Sequence, residues 1–269
     1  MKEKISIIGC GWLGLPLAQY LIGEGFDVKG STTSSDKLEL LKNHKIEGYL
    51  IQLTATEISG DYSSFFANSD TVIINIPPGL RRNPTKNHVD EINRLISVIE
   101  EQNVKNVLYI SSTSVINDYV DFPEIRNDTL PNATSNSARQ LIEIEQKIYN
   151  NVNFNSTILR FGGLFDAQRH PAKYLSGRTQ ISDPDAPINL IHKDDCIEII
   201  SAILKKTLWN VALNAVYPLH PDKKTYYSAY CKQKGLSLPE FDFITKSKGK
   251  IVNSSKLVQL LNYTFKHAP

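Results

Sequence analysis

Three glycines in Gly9-Cys10-Gly11-Trp12-Leu13-Gly14 stand at a spacing whose chemistry is the seating of a diphosphate. They follow the apolar run Ile5-Ser6-Ile7-Ile8 and precede Leu15-Pro16-Leu17-Ala18, where helical spacing begins. In such a strand–turn–helix the first glycine permits a tight turn and the second lets a pyrophosphate approach the backbone. The third lets the helix close on the strand. The start of the helix adds N–H groups and a positive dipole end. Trp12 and Leu13 are therefore grouped with Gly9, Gly11 and Gly14 as the diphosphate-binding turn. Pro16 falls in or near the first helical turn, where its missing N–H costs little. A turn without a ligand is the competing reading, and the strand before it and helix after it favour the dinucleotide. Cys10, at a variable position of the turn, reads as a small filler.

Dinucleotide sites that prefer NAD place a carboxylate at the end of the second strand to hold the ribose hydroxyls. Here Asp27-Val28-Lys29-Gly30 runs into Ser31-Thr32-Thr33-Ser34-Ser35, with no carboxylate until Asp36. The hydroxyls of Ser31, Thr32, Thr33 and Ser34, with Lys29 or Lys37, can take a 2′-phosphate that an acidic residue would repel. This favours NADP over NAD. NAD stays open because no arginine, the better phosphate fork, accompanies them. Ser35 suits a helix cap equally well.

These residues need a frame. Ile- and Val-rich runs at Lys4–Ile8, Asp27–Gly30, Gly48–Leu53, Thr71–Ile76, Asn106–Ser111 and Ser156–Phe161 read as strands. Helical spacing lies between them at Trp12–Gly23, Ser35–His44, Thr85–Gln102 and Ser135–Asn150. The alternation predicts an α/β fold with a doubly wound parallel sheet covered on both faces. After Phe161 the rhythm breaks. Gly162–Pro187 reads as loop, Asp194–Lys206 as helix, Val211–Val216 as strand, and Tyr217–Pro269 as short elements. The domain expectation is a Rossmann-type nucleotide-binding part, residues 1–161 and 188–216, and a smaller substrate-facing part, residues 162–187 and 217–269. Lys246, Lys248 and Lys250 alternate with small residues, a pattern that suits an exposed edge strand or the rim of an anionic site.

Composition narrows the function. With 269 residues, 41% hydrophobic and 22% charged, the chain is an ordinary globular one rather than disordered or fibrous. A net charge of +2 gives no field for nucleic acid or an anionic membrane, and no apolar run is long enough to span a bilayer. Cys10, Cys196 and Cys231 lack the Cys-x-x-Cys or paired-His spacings of a zinc site and are too few and scattered for a disulfide framework. No metal site is expected, and a reducing cytoplasm is.

A further group of motifs follows in order: Tyr109-Ile110-Ser111-Ser112-Thr113-Ser114-Val115, Leu159-Arg160-Phe161-Gly162-Gly163-Leu164-Phe165, and Asn189-Leu190-Ile191-His192-Lys193-Asp194-Asp195. With the glycine turn, these resemble the extended short-chain dehydrogenase/reductase family, the branch of nucleotide-sugar epimerases and dehydratases, over nearly the whole chain. The resemblance implies that Ser112 binds the reacting substrate oxygen, with Ser114 near the substrate and Ser111 near the cofactor. It also sets Ile76-Pro77-Pro78-Gly79 against the cofactor ribose, with Arg81 and Arg82 able to steer a phosphate or simply solvated. The family's Tyr-x-x-x-Lys pair falls on Ser137 and Leu141, so its proton-transfer dyad is missing. That departure resembles atypical members of the family. Arg139, on the same helix, is a candidate for holding a phosphate or carboxylate. In Arg169-His170-Pro171-Ala172-Lys173-Tyr174, His170 and Tyr174 are candidate proton donors, and Arg169 and Lys173 candidate substrate contacts. His192 reads as structural.

The expected function is an NAD(P)-dependent oxidoreductase or epimerase acting on a small polar carbonyl or hydroxyl compound such as a nucleotide sugar. The alternative is an NADP(H)-sensing protein without turnover. The expected partner is a small molecule, with the chain a monomer or a homodimer paired through helices Thr85–Gln102 and Ser135–Asn150.

Overall fold

The computed structural model describes residues 2–269. In chain order the first part carries β1 (Lys4–Ile8), α1 (Gly14–Gly23), β2 (Asp27–Thr32), α2 (Asp36–Asn43), β3 (Glu47–Leu53), β4 (Ile58–Gly60), α3 (Tyr62–Phe66), β5 (Thr71–Ile74), α4 (His88–Glu101) and β6 (Asn106–Ser112). There follow β7 (Glu124–Ile125), α5 (Asn136–Tyr149), β8 (Asn155–Phe161), β9 (Gly163–Phe165), α6 (Pro171–Leu175), β10 (Leu190–His192), α7 (Lys193–Lys205), β11 (Val211–Ala215), α8 (Lys223–Gln233), β12 (Ile251–Val252) and α9 (Ser255–Leu261).

Eight strands form one sheet in the order β11-β8-β6-β5-β1-β2-β3-β4. β1 runs parallel to β5 on one side and to β2 on the other, and β2–β3 and β5–β6 are also parallel. β4 alone is seen to run antiparallel, against β3 at the edge. Every residue of β5 is buried, as expected of a strand with helices on both faces. The chain builds outward from β1 through β2 and β3, then returns to the other side of β1 for β5 and β6. The strand ends at that reversal are where open α/β sheets bind ligands.

Helix boundaries follow local chemistry. Asn87 accepts the Asp90 N–H at the start of α4, and Ser135 accepts the Ala138 N–H at the start of α5. The α4 stripe Ile92, Leu95, Ile96 and Ile99 is buried, as its spacing predicts.

The chain forms two compact units, Met1–Ser112 with Thr134–Leu159 and Ile200–Ala212, and Thr113–Ala133 with Arg160–Ile199 and Leu213–Pro269. In the second unit β9 pairs in parallel with β10, and β7 with β12. Its core gathers Phe165, Ala172, Ile188, Leu190, Tyr227 and Cys231.

Some elements differ from the sequence reading. The stretch 162–187 holds a strand and a helix, β9 and α6. β4 and α3, at three and five residues, are too short to show a period. The run 246–250 forms no edge strand. Lys250 is buried and its ammonium donates to the Ile116 carbonyl at 2.5 Å and to Asp118 at 3.0 Å, while Lys246 and Lys248 are exposed. Lys250 therefore clasps the backbone of its own unit. No helix among the described residues is long and apolar enough to cross a membrane.

Candidate dinucleotide site

The turn after β1 is held by the backbone around it. Gly9 has φ +102°, and a Cβ there would lie 2.5 Å from the Asn75 carbonyl oxygen. A Cβ on Gly14 would lie 2.2 Å from the Gly9 carbonyl oxygen. Both glycines are thus demanded by the protein's own packing. Gly11 is different. It is exposed, and a Cβ there would meet no atom within 4 Å. Its missing side chain leaves open space where the second glycine of a dinucleotide turn admits the diphosphate.

Ser31 anchors this turn. Its hydroxyl accepts the Gly9 N–H at 3.1 Å and its carbonyl accepts the Cys10 N–H at 2.8 Å. Asn75, just past β5, donates its side-chain amide to the Gly9 carbonyl at 2.9 Å. Trp12 is half-buried and Leu13 buried. Leu13 caps α1 without a side-chain bond, and no acidic residue occupies its first turn. The positive end of α1 therefore carries no carboxylate of its own. Open space at Gly11 and an uncapped helix start fit a dinucleotide diphosphate. Cys10 is buried beneath the turn, and burial pushes its thiol up to about 12. It is an inert filler.

The other cofactor candidates divide by exposure. Ser31 is buried and committed to the turn. Thr32 is buried and its hydroxyl accepts the Ser34 N–H at 3.2 Å. Thr33 and Lys37 are exposed and Ser34 half-buried. Lys29 reaches the carbonyls of Ser64 and Ala67 at 2.7 and 3.1 Å, so its ammonium ties β2 to the end of α3. Asp36, the first carboxylate after β2, opens α2. Ile76 and Pro78 are half-buried and Pro77 exposed in the turn after β5.

At the end of β6 the serines face different surroundings. Ser111 is buried and donates to Glu145 of α5 at 2.5 Å. That bond packs strand on helix and takes up the hydroxyl expected beside the cofactor. Ser112 is half-buried, and Ser114 is exposed in the single 3-10 turn Thr113–Val115. On α5, Ser137 is half-buried and Leu141 is buried. Arg139 is exposed, with its Nε donating to the Thr134 carbonyl at 2.7 Å. Gln140 accepts the His88 N–H at 2.7 Å and donates to the Lys86 carbonyl at 3.1 Å, fastening α5 to the start of α4.

A buried group that sequence reasoning missed lies there. His88 is fully buried with Nδ1 2.9 Å from Glu91, which also pairs with Lys86 at 2.9 Å. Burial alone would raise the Glu91 pKa, but hydrogen bonds from His88 and Lys86 hold it below its ordinary value. A carboxylate at Glu91 fixes the proton of His88 on Nδ1.

In the second unit the candidate acids are placed very unequally. His170 is buried and caps α6, its Nδ1 accepting the Ala172 N–H at 3.2 Å. Its proton therefore sits on Nε2, which lies 2.8 Å from the Tyr226 hydroxyl. The ring stacks on Tyr230 at 3.7 Å. Burial, then Lys173 and Lys234, pull its pKa down to about 4. A neutral ring with both nitrogens engaged is a poor proton donor, so this geometry speaks against the catalytic expectation for His170. Lys173 donates to the carbonyls of Ala167 and Gln168, both at 2.9 Å. Arg169 is exposed, and its N–H donates to Asp166 at 2.6 Å. Asp166 also pairs with Lys193 at 2.6 Å. Burial alone would raise its pKa, but this ammonium and the Arg169 and Gln168 N–H groups hold it at about 2. Tyr174 is 60% exposed on α6. The carboxyl-terminal segment also brings His267 to His192 and Asp194, residues too far from it in sequence to form a readable motif.

A doubly wound sheet with a glycine turn at its reversal defines a dinucleotide-binding protein. The family described as NAD(P)H-binding matches residues 9–205, and the chain belongs to it. Protein YeeZ of Escherichia coli (strain K12) is 28% identical over 267 residues, spanning 98% of this chain and 96% of that one. Among solved structures, the fold is similar to UDP-glucose 4-epimerase from the hyperthermophile Thermotoga maritima, solved with UDP-glucose. That likeness has a TM-score of 0.79 and 15% identity and covers 98% of this chain and 94% of that one. It is also similar to a short-chain dehydrogenase/reductase superfamily protein from Agrobacterium tumefaciens with bound NAD, with a TM-score of 0.78 and 13% identity over 99% and 93% of the two chains. The fold is thus the epimerase/dehydratase-like short-chain dehydrogenase one.

Proposed function

We propose that this protein is an NADP(H)-using oxidoreductase or epimerase of atypical active site, acting on a polar carbonyl or hydroxyl compound of the nucleotide-sugar class. The observation that carries the reading is Gly11, whose missing side chain has no explanation in the protein's own packing. NADP is preferred over NAD because hydroxyl residues, Thr33 and Ser34 among them, follow β2 with no carboxylate before Asp36, and Lys37 stands next to it. A bound nicotinamide supplies hydride chemistry, and the protein supplies orientation. Ser112, half-buried at the end of β6, is assigned to the reacting substrate oxygen. Tyr174 is the proton donor of choice, since it is exposed where His170 is enclosed. Arg139 keeps guanidinium edges beyond the one bonded to Thr134 and suits a phosphate or carboxylate of the substrate. Ser114, Arg169 and Lys173 are further proposed substrate contacts. The nucleotide-sugar class is favoured by the UDP-glucose seen in the Thermotoga maritima relative of this fold.

A second reading rests on Leu141. It lies buried at the position where the resemblance expects a lysine, so α5 carries no cation there to tune a proton donor. That favours a protein that binds the reduced cofactor and reports its level without turnover.

Calorimetry with NADPH and NADH, followed by nicotinamide fluorescence against a panel of aldehydes, ketones and sugar nucleotides, decides between them. Consumption that Ser112→Ala abolishes supports the enzyme. Tight binding without consumption across the panel supports the sensor. No heat with either nucleotide, oxidised or reduced, overturns both.

A further inference from the structure

We propose that His192, Asp194 and His267 form a site for a divalent transition-metal ion, zinc fitting best, which fastens the carboxyl-terminal segment to the turn between β10 and α7. Each residue offers one donor atom, and these atoms lie within 4.8 Å of one another. The two imidazoles are half-buried and the Asp194 carboxylate is exposed, so an ion reaches the trio from the solvent side. His192 Nδ1 is 3.7 Å from Asp194 Oδ2, and the rings of His192 and His267 stack at 4.4 Å.

Zinc bonds of about 2.0–2.2 Å set tetrahedral donors about 3.4 Å apart, so closure asks for roughly 1.4 Å of side-chain movement. Closure also turns the stacked rings so that a nitrogen lone pair of each faces the ion, and His192 Nδ1, if it is the ligand atom, gives up the Asp194 N–H it accepts at 3.2 Å. The backbones themselves are fixed. Asp195, fully buried, accepts the N–H groups of Lys266 and His267 at 2.9 and 3.2 Å and the Tyr263 hydroxyl at 2.6 Å. His192 sits in the β9–β10 ladder opposite Phe165, whose ring meets it edge-on at 5.0 Å. The segment and the turn are therefore held in register before any ion is considered.

The charges nearby agree. Lys193 is paired with Asp166 and Lys266 with Glu198, both at 2.6 Å, so the adjacent cations are offset. Two imidazoles and one carboxylate suit zinc and its first-row neighbours rather than calcium or magnesium, which prefer oxygen donors. Three protein ligands leave a fourth position for water.

The test uses the full chain without an affinity tag, stripped by chelator and then titrated with zinc by calorimetry and with cobalt by visible absorption. One equivalent of zinc binds, the cobalt form shows ligand-field bands of a low-coordinate site, and zinc raises Tm. His267→Ala and Asp194→Asn each weaken zinc binding at least tenfold and abolish the rise in Tm. His267→Cys, which keeps a donor, retains one equivalent. His44→Ala, a histidine bonded to Gln19 in the other unit, changes nothing. Absence of zinc binding to the wild-type chain overturns the proposal, as does unchanged affinity in folded His267→Ala.

Discussion

The glycine turn after β1 and the loop leading into α6 both carry residues whose types suggest chemistry, and they differ in how much of each is explained by packing. At the turn, Gly9 and Gly14 are required by backbone contacts, while Gly11 faces open space and answers to nothing in the chain. At the loop, His170 caps a helix, bonds Tyr226 and stacks on Tyr230, so every polar atom of its ring is accounted for. A residue that the fold fully employs needs no ligand to explain it. One that the fold leaves unexplained is a candidate for a ligand when it also sits in a dinucleotide-type turn, as Gly11 does and the equally open Gly23 does not. By that measure the turn is the stronger candidate for a ligand, and His170 is held by its own neighbours. Leu141 belongs with His170, because the helix uses it as an apolar contact.

The contrast within the turn gives the largest effects. Gly9→Val forces a Cβ against the Asn75 carbonyl at a positive φ and lowers stability by about 4 kcal/mol. In Gly11→Val the added Cβ meets no atom within 4 Å, and the urea midpoint is expected to stay unchanged. The substitution weakens NADPH by at least a hundredfold, about 2.8 kcal/mol. Paired denaturation and calorimetry measure both. If Gly11→Val kept its affinity, the open space would have no bearing on the cofactor, and the comparison would fail.

Leu141→Ala sharpens the same contrast from the other side. Removing a buried leucine lowers stability by about 3 kcal/mol, while NADPH affinity stays within about twofold. A large loss of affinity at unchanged stability would show that α5 contacts the cofactor at this position after all.

His170 extends the argument to acid. Its folded pKa, about 4, lies below the ordinary 6.5, so between those values the unfolded chain binds the extra proton. Stability contributed by the neutral ring is complete above pH 6.5 and is lost as pH falls toward 4, by up to about 3 kcal/mol. His170→Asn keeps a capping oxygen but cannot titrate. Urea unfolding followed from pH 7 to pH 4 should slope less in His170→Asn than in the wild type. Equal slopes would place the titration elsewhere.

How much of this was legible in the residues follows from range. The turn, β1, β2, β5, β6 and the stripes of α4 and α5 could be read because each is a local pattern of glycines, β-branched runs or helical spacing. β9 and α6 could not, because three and five residues hold no period and depend on the core around Phe165 and Tyr227. The candidate site was legible where it is backbone and illegible where it is long-range. Ser31 anchoring Gly9 and Ser111 meeting Glu145 are pairings between elements that no spacing announces, whereas His88 and Glu91 stand three apart on α4, a helical spacing that was open to reading. Lys250 was misread because alternating lysines look solvated until a carbonyl, here Ile116, claims one of them.

The smallest expected effect tests how the site tells two cofactors apart. Lys29 is held by the Ser64 and Ala67 carbonyls, and Ser31 and Thr32 are committed to turns, which leaves Thr33, Ser34 and Lys37 as the groups past β2 open to a 2′-phosphate. Lys37 is exposed, so its charge acts through water and is screened by salt. Lys37→Ala should weaken NADPH about threefold, or ~0.65 kcal/mol, at low salt and leave NADH unchanged, with the difference shrinking as salt is added. Equal weakening of both nucleotides would move Lys37 from the 2′-phosphate to the shared diphosphate. No change in either would leave the hydroxyls of Thr33 and Ser34 as the basis for any preference, and Thr33→Asp would then turn that preference toward NADH by repelling the phosphate.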